Sequence, residues 1–264
     1  MLIAQITDLH VKDSDRLVYR RVDTARFLRE AVAQLVALQP RPDIVVVTGD
    51  LTDSGRPEEY AALREIMAAL PMPVFVLPGN HDAREALREA FAADGYLPRD
   101  GFLHYTVEDY PLRLVALDTL LPGSDGGLLC EERLAWLDRT LAAAPERPTI
   151  IIMHHPPFRT GITQSDTVGL EGADALREID ARNRQVERLL CGHVHRSIHV
   201  RFAGTIASIA PSTAHQVVLD LRPDGPSVFV MEPPGYQLHL WDRDTGLVSH
   251  TAVIGDFAGP YPYA

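Results

Sequence analysis

The sequence predicts a mixed α/β (α+β) fold in which sheets are covered on both faces. Over the N-terminal two thirds, short apolar runs alternate with longer segments whose apolar residues recur at helical spacing. The short runs are continuous rather than alternating, as in residues 44–48, which is typical of strands that are buried on both faces. From about Val186 the helical periodicity ends, and short strand-like runs separated by Gly and Pro predict antiparallel meanders.

The first predicted elements can be justified one by one. A buried strand over residues 2–7 precedes a helix over 22–38, where apolar residues recur at helical spacing and Pro40 lies beyond the end. The β-branched run 44–48 is a second strand, and Pro57 suits the first position of a helix over 57–70. The elements predicted after these, up to residue 153, are strands 74–77, 102–107, 113–117 and 149–153 and helices 83–92 and 131–143.

The C-terminal third is predicted to contain only strands. Each run is short, and Gly or Pro lies between neighbouring runs. The predicted strands are 188–191, 198–202, 205–209, 216–219, 227–231, 236–241 and 247–253. Residues 122–127 and 156–172 are predicted to be the longest irregular segments.

Composition limits the classes of function. The chain has 264 residues, which one hydrophobic core can hold, and a formal net charge of −11. Such an acidic chain is a poor nonspecific binder of nucleic acid or of anionic membranes. No apolar run approaches a membrane span, and no signal peptide is visible at the N-terminus. Only two cysteines, Cys130 and Cys191, are present, so no disulfide framework is implied and we expect a cytoplasmic protein.

Metal-binding residue types follow five of the predicted strands. The carboxyl ends of parallel strands meet at one edge of a sheet, where ligands collect, so these side chains are expected to lie together. The candidate donors are Asp8, His10, Asp50, Asn80, His154, His193 and His195. One carboxylate shared by two ions, with three further ligands on each ion, uses all seven. Carboxylate and imidazole donors without cysteine favour Zn, Mn or Fe, and paired ions of this kind serve hydrolases that act on phosphate esters.

Five short motifs carry a family resemblance. They are D-x-H at 8–10, G-D-x-x-D-x-G at 49–55, G-N-H-D at 79–82, H-H-P-P at 154–157 and G-H-x-H at 192–195. Together they resemble the calcineurin-like metallophosphoesterase superfamily over roughly residues 1–211. Segments 55–60, 153–157 and 213–216 are similar to the branch that holds class III cyclic nucleotide phosphodiesterases and bacterial glycerophosphodiesterases.

The resemblance implies a fold and a domain organisation. The fold would be a four-layer αββα sandwich of two mixed sheets, with a dimetal site at the carboxyl ends of the strands. Residues 1–211 would form the catalytic domain. Residues 212–264 would be a strand-rich extension, either part of the same domain or an oligomerisation segment, and we expect a homodimer or a dimer of dimers.

The resemblance also implies a role for each site residue. The first metal would be held by Asp8, His10, Asp50 and His195, and the second by Asp50, Asn80, His154 and His193. His81 would face the substrate phosphate as a catalytic donor, Asp53 would orient His81, and Asp82 would be a turn residue or support the ligands. Asn80 and His215 would also lie against the substrate.

The function implied is hydrolysis of small phosphodiesters, either 3′,5′-cyclic nucleotides or glycerophosphodiesters, by attack of a hydroxide held by the two metals. Three alternatives stay open. One is a related enzyme, namely a phosphomonoesterase, a nucleotide pyrophosphatase or a DNA nuclease, of which the acidic charge disfavours the last. The others are a non-catalytic protein-interaction scaffold and a metal sensor, which the complete ligand set and His81 disfavour.

Overall fold

A computed structural model of the chain describes residues 1–13 and 16–263. The strands within this range are β1 Leu2–Ile6, β2 Ile44–Thr48, β3 Val74–Leu77, β4 Tyr105–Val107, β5 Arg113–Leu117, β6 Gly127–Leu128, β7 Thr149–Met153, β8 Leu170–Glu171, β9 Val186–Cys191, β10 Ile198–Phe202, β11 Thr205–Ile209, β12 Gln216–Val217, β13 Phe229–Val230, β14 Gly235–Asp242 and β15 Gly246–Val253. The helices are α1 Thr24–Ala37, α2 Pro57–Met67, α3 Arg84–Ala90, α4 Glu131–Ala142, α5 Thr163–Asp166 and α6 Ala173–Arg182, with a 3₁₀ turn at Ala92–Asp94.

Two mixed sheets form the centre of the molecule. The first has the strand order β15-β14-β1-β2-β3, in which β1, β2 and β3 are parallel and β14 is antiparallel to β1. The second has the order β10-β11-β9-β7-β5-β4, with a parallel centre and antiparallel strands at both edges. Two short pairs, β6–β8 and β12–β13, lie outside these sheets.

Three apolar cores separate four layers. Alternate side chains of a strand point to opposite faces, so each central strand contributes to two cores. In β2, Val45 packs with helices α1 to α3, whereas Val46 packs between the two sheets. In β7, Ile152 faces the same inter-sheet core and Ile151 packs against α4 and α6. The predicted four-layer αββα sandwich is confirmed.

Some details differ from the prediction. Helix α6 was missed, because only Leu176, Ile179 and Asp180 of its ten residues are buried and the apolar period is too weak to read. The C-terminal third is not simply a set of antiparallel meanders, since β9 pairs in parallel with both β7 and β11. These pairings join segments that lie far apart in sequence, and local patterns do not encode such contacts.

The C-terminal strands complete the first sheet. Strand β14 pairs with β1, with Leu2 opposite Leu240, and β15 then forms the edge of the sheet. This pairing supports the alternative in which residues 212–264 belong to the same domain as residues 1–211. Within the described ranges, no helix combines the length and the apolar character that crossing a membrane requires.

Candidate metal centre

The seven predicted donors converge at one edge of the sandwich. Each follows a strand of the parallel part of a sheet, namely β1, β2, β3, β7 or β9, so all leave the sheets in the same direction. Because the two sheets are packed face to face, the loops of both sheets meet at this edge. Asp8, His10, Asp50 and His195 form one close group of metal-ligand atoms, and all four are buried.

The main chain is strained at most of these donors. A non-glycine residue with positive φ is uncommon, and such strain is concentrated at functional sites. Positive φ occurs at eight described non-glycine residues, and five of them are predicted ligands: Asp8 (53°), His10 (45°), Asp50 (50°), His193 (75°) and His195 (52°). The fold therefore holds these five residues in a costly conformation that aims their side chains at a common centre.

Two motif glycines allow this convergence because no side chain fits in their place. A Cβ atom on Gly49 would lie 2.3 Å from Nδ1 of His154, and one on Gly79 would lie 2.2 Å from Oδ1 of Asp50. Gly49 also has a φ of +91°, which other residues rarely adopt. The glycines that precede Asp50 and Asn80 in the motifs are thus required by close packing under the donor atoms.

Asp50 lies between two sets of donors. Its Oδ2 atom is 3.5 Å from Nε2 of His10 and 3.4 Å from Nε2 of His154. Its Oδ1 atom accepts a hydrogen bond of 2.9 Å from the main-chain N–H of His81, which fixes the carboxylate plane. On the first side, Nε2 of His195 lies 3.2 Å from Nε2 of His10 and 3.3 Å from Oδ1 of Asp8.

The second side is centred on Asn80. Its Oδ1 atom is 3.1 Å from Nε2 of His154 and 3.0 Å from Nδ1 of His193. The other ring nitrogens of these histidines donate to main-chain carbonyls, His154 Nδ1 to Thr48 at 2.8 Å and His193 Nε2 to Val168 at 3.1 Å. Burial keeps the His193 ring neutral, so its nitrogen that faces Asn80 is a lone-pair acceptor, opposite an amide oxygen that is also an acceptor. A cation between them would satisfy these groups.

The charges of the site fit metal ions. Burial alone would raise the pKa of Asp50, but the nearby His154 and His10 imidazoles hold it well below its usual value. Burial alone would also raise the pKa of Asp8, but the nearby His195 imidazole lowers it to about 2. Burial lowers the pKa of His193 to about 4, so this ring is neutral and able to bind a metal. Two buried carboxylates among inward-facing imidazoles fit two metal ions with N/O ligands.

His81 lies beside the first donor set but points into the cavity. Its ring stands at 82° to that of His10, with 4.6 Å between the centroids. Its Nδ1 donates to the main-chain carbonyl of Asp53 at 2.8 Å. Burial lowers the pKa of His81, but Asp50 and the Asp53 carbonyl outweigh this and raise it. His81 can therefore present Nε2–H to an anionic ligand.

Asp53 differs from its expected role in one respect. The contact that orients His81 comes from the Asp53 main-chain carbonyl, whereas its carboxylate is directed elsewhere. One carboxylate oxygen lies 3.6 Å from Nδ1 of His10, and the other forms an ion pair with Lys12. The side chain of Asp53 thus supports His10, and Lys12, which the sequence analysis did not single out, holds it in place.

Asp82 joins the loops that follow β2 and β3. Its buried carboxylate accepts hydrogen bonds from the Tyr60 hydroxyl at 2.8 Å, from the Gly79 N–H at 2.9 Å and from the Leu51 N–H at 3.1 Å. Burial, and then the charge of Asp50, raise the pKa of Asp82 to about 6. Asp82 therefore supports the loops that carry Asp50 and Asn80 and does not face the cavity.

A cavity of about 470 Å³ opens above the donors. His215 lies in its wall, with ring centroids 4.6 Å from His195 and 5.7 Å from His10. Tyr19 stacks on Phe229 with 5.1 Å between centroids, and the pair forms an aromatic wall next to His215. Sequence reasoning did not find Tyr19 or Phe229, because they come from segments far apart in the chain and carry no local motif.

His155 packs beneath the second donor set. Its Nδ1 is 2.8 Å from Oγ1 of Thr119, and its Nε2 is 3.2 Å from the carbonyl of Asp125. The ring lies 4.6 Å from that of His193 and is buried. Both ring nitrogens of His155 are bonded to protein groups, so its contact with His193 is packing of one ring against the other.

Comparison with known proteins assigns the family. Residues 1–197 match the sequence model of the calcineurin-like phosphoesterases. The chain belongs to the calcineurin-like phosphoesterase family. A probable glycerophosphodiester phosphodiesterase, GpdQ of Arcobacter nitrofigilis, is 40% identical over 264 residues, which are 100% of this chain and 97% of that protein. The 3′,5′-cyclic adenosine monophosphate phosphodiesterase CpdA of Pseudomonas aeruginosa is 32% identical over 92% of this chain and 86% of that protein.

Solved structures agree on the fold. A dimetal phosphatase from Danio rerio superposes with a TM-score of 0.61 at 18% identity, over 97% of this chain and 99% of that chain. The predicted resemblance to the calcineurin-like metallophosphoesterases, and to the branch of glycerophosphodiester and cyclic nucleotide phosphodiesterases, is therefore confirmed.

Proposed function

We propose that this calcineurin-like phosphoesterase is a dinuclear metal-dependent phosphodiesterase of small phosphodiesters, with glycerophosphodiesters and 3′,5′-cyclic nucleotides as its substrate classes. The observation that carries the proposal is the position of Asp50 Oδ2, almost equally far from His10 at 3.5 Å and His154 at 3.4 Å. One carboxylate that serves two donor sets is what a paired metal site for phosphate esters needs. The names of the two similar phosphodiesterases support the substrate classes.

The ligands divide into two sets that share Asp50. Asp8, His10 and His195 complete the first set, and Asn80, His154 and His193 complete the second. The donors are oxygen and nitrogen atoms only, which suits Mn, Fe or Zn. Main-chain carbonyls that fix the ring orientation of His154, His193 and His195 support this division.

When bound, a metal pair neutralises phosphate oxygens and lowers the pKa of water. The chain's own residues supply the rest. His81, held by the Asp53 carbonyl, directs a donor at the phosphate where charge develops as the leaving oxygen departs. His215 and the Tyr19–Phe229 wall restrict where the leaving group lies and shield the centre from bulk water.

The cavity favours a diester over a monoester. A phosphomonoester carries close to two negative charges near neutral pH, whereas a diester carries one. Neither arginine nor lysine is found among the described residues that line the cavity. Apart from the metal ions and their ligands, the described lining offers the second charge of a monoester His81, neutral polar side chains such as Gln164 and Ser165, and apolar or aromatic groups. A volume of about 470 Å³ also suits a small molecule rather than a polymer.

A kinetic comparison tests the proposal. The full chain is loaded in turn with Mn, Fe or Zn and assayed on glycerophosphoethanolamine, cyclic AMP, bis(p-nitrophenyl) phosphate and p-nitrophenyl phosphate. We expect kcat/KM for the best diester to exceed that for the monoester by roughly tenfold or more, which corresponds to about 1.4 kcal/mol. Equal or faster monoester hydrolysis, or no hydrolysis with any of the three metals, would overturn the proposal.

We also propose that the enzyme is cytoplasmic and works as a homodimer or a dimer of dimers. Strand β15, Gly246–Val253, forms the edge of the first sheet and contains no charged residue and no proline. Apart from the Leu247 carbonyl, which accepts a hydrogen bond from Arg188, this strand shows no such protection, and it is suited to pairing with a second copy about a two-fold axis. Light scattering at micromolar concentration, with Thr251→Lys as the comparison, tests this. A mass of one chain at every dilution would refute it.

A further inference from the structure

A second cleft lies on the side of the sandwich formed by β9, β10 and β11. Strand β15 of the first sheet reaches β9, where Arg188 contacts the Leu247 carbonyl and the Ser249 hydroxyl. The next strands of the second sheet, β11 and β10, line an open cleft of about 720 Å³ together with the turn between β14 and β15. This cleft shares no described lining residue with the cavity of the metal centre.

Strand register places two arginines on the same face of this cleft. Arg201 of β10 pairs with Ile206 of β11, and the pairing of Ala207 with Leu189 brings Ile206 beside Arg188 of β9. Paired residues on neighbouring strands point to the same face of a sheet. Arg188, Ile206 and Arg201 therefore form one row across three strands, and His199, two residues before Arg201, lies on the same face.

Arg188 is a buried cation without a matching anion. It is 9% exposed, and its Nε atom is buried with no hydrogen-bond partner. Its two observed contacts are to neutral oxygens, a carbonyl and a hydroxyl. In the part of the chain that the structure describes, no carboxylate lies within ion-pair distance of it. Buried charges are normally paired, so this guanidinium lacks a counter-charge.

The surroundings of the cleft are cationic although the chain is acidic. Arg184 and Arg201 also line it and are exposed, whereas Glu187 is the one acidic residue among the described lining residues. This excess of positive charge contrasts with the net charge of −11 of the whole chain. Guanidinium groups match the geometry of phosphate oxygens, and water exclusion near Arg188 strengthens the attraction.

We propose that this cleft is a second ligand site, which binds the phosphate group of a small molecule between Arg188 and Arg201. Ile206 and Leu247 provide an apolar surface beside the two arginines, where an organic part of the ligand can pack. The proposal does not rest on the phosphodiesterase activity, because the two sites have separate linings. Its ligand is either free phosphate or an organic phosphomonoester.

Arginine NMR on the metal-loaded full chain tests the site directly. With ¹⁵N-arginine labelling, the Nε–Hε signals of Arg184, Arg188 and Arg201 are assigned by substitution and followed during titration with inorganic phosphate. Phosphate that binds at the metal centre does not contact an arginine whose signal is followed, because no arginine is among the described residues lining that cavity. We expect the signals of Arg188 and Arg201 to move saturably with one dissociation constant.

Two variants provide the decisive comparison. Arg201→Gln, on an exposed side chain, should weaken phosphate binding at the cleft roughly tenfold, as expected for loss of a charge-assisted contact. Arg243→Gln, in the neighbouring turn but outside the cleft, should bind as the wild type does. Because Arg188 is buried, a variant there can fail to fold, and Arg201→Gln keeps the test independent of that risk.

Three results would overturn the proposal. The first is that the Arg188 and Arg201 signals do not shift at a phosphate concentration that saturates the metal centre. The second is that Arg201→Gln and the wild type bind phosphate with equal dissociation constants. The third is that succinate binds at the cleft as tightly as phosphate does. Titration with AMP distinguishes free phosphate from an organic phosphomonoester as the ligand of the cleft. Tighter binding of AMP than of phosphate identifies an organic phosphomonoester, and equal binding identifies free phosphate.

Discussion

Gly49→Ala should disrupt the second metal site while leaving the fold intact. Gly49 has a φ of +91°, and a Cβ atom there would lie 2.3 Å from Nδ1 of His154. The left-handed conformation costs an alanine about 1–2 kcal/mol, and overpacking costs about 1–3 kcal/mol more. We therefore expect the free energy of unfolding to fall by about 2–5 kcal/mol.

The effect on the site should be larger than the effect on stability. To restore ordinary van der Waals contact, which begins at 3.4 Å, the His154 ring must move by roughly 1 Å from the position where Nδ1 donates to Thr48. Metal–ligand distances tolerate changes of only about 0.2 Å. The second metal should be lost, and kcat should fall by about 10²-fold or more, as expected for a misplaced reactive group.

A matched variant separates the clash from the backbone strain. Gly101 has a φ of +67°, and nothing lies within 4 Å of a Cβ placed on it. Gly101→Ala should cost only about 1–2 kcal/mol and leave metal content and turnover unchanged. Urea unfolding, elemental analysis and turnover of bis(p-nitrophenyl) phosphate measure the three quantities. Two metals per chain and wild-type turnover in Gly49→Ala would refute the reasoning.

Three further predictions concern residues around the site and the core. His81→Ala should retain both metals but lose roughly 10²-fold in kcat; a variant with normal kcat, or one that lacks metal, would contradict its role as a donor. Asp53→Ala should weaken metal binding at the first site about tenfold, because its carboxylate supports His10, and kcat at saturating metal should change little; a fall in kcat with unchanged metal affinity would contradict this. Burial raises the pKa of Asp180 to about 7, so the folded state holds a proton that the unfolded state releases near pH 4, and wild-type stability falls as pH rises through this window. Asp180→Asn should therefore be more stable than wild type by about 1–2 kcal/mol near pH 8 and equal to it near pH 4, in urea unfolding at both pH values; a difference that does not depend on pH would exclude titration of Asp180 as the cause.

Local sequence patterns predicted much of the layered fold and indicated the candidate metal-binding side chains. Continuous β-branched residues predict a buried strand such as Ile44–Thr48, and Asp50 follows it after one glycine. Since parallel strands end at a common edge, the order of motifs along the chain is enough to expect that these side chains meet. The structure places Oδ2 of Asp50 3.5 Å from Nε2 of His10 and 3.4 Å from Nε2 of His154.

Other features depend on contacts that no local pattern carries. The pairing of β14 with β1 joins the two ends of the chain, and the N-terminal amine itself bonds to the carbonyl of Trp241. Tyr19 and Phe229 meet only after the loops of both halves are in place. The direction of the Asp53 carboxylate, toward Lys12 and His10 rather than His81, is set by the loop conformation after β2.

The metal content of Asp50→Ala tests the central claim most directly. Elemental analysis of the wild-type chain, loaded with Mn or Zn and freed of excess metal, should give two ions per chain. Asp50→Ala removes the carboxylate oxygen that lies between His10 and His154, so it should bind less than one ion per chain and lose nearly all turnover of bis(p-nitrophenyl) phosphate. Asp50→Asn keeps the shape but removes the charge, and it should behave in the same way. Two ions per chain together with normal turnover in Asp50→Ala would contradict the assignment of Asp50 as the ligand shared by both metals.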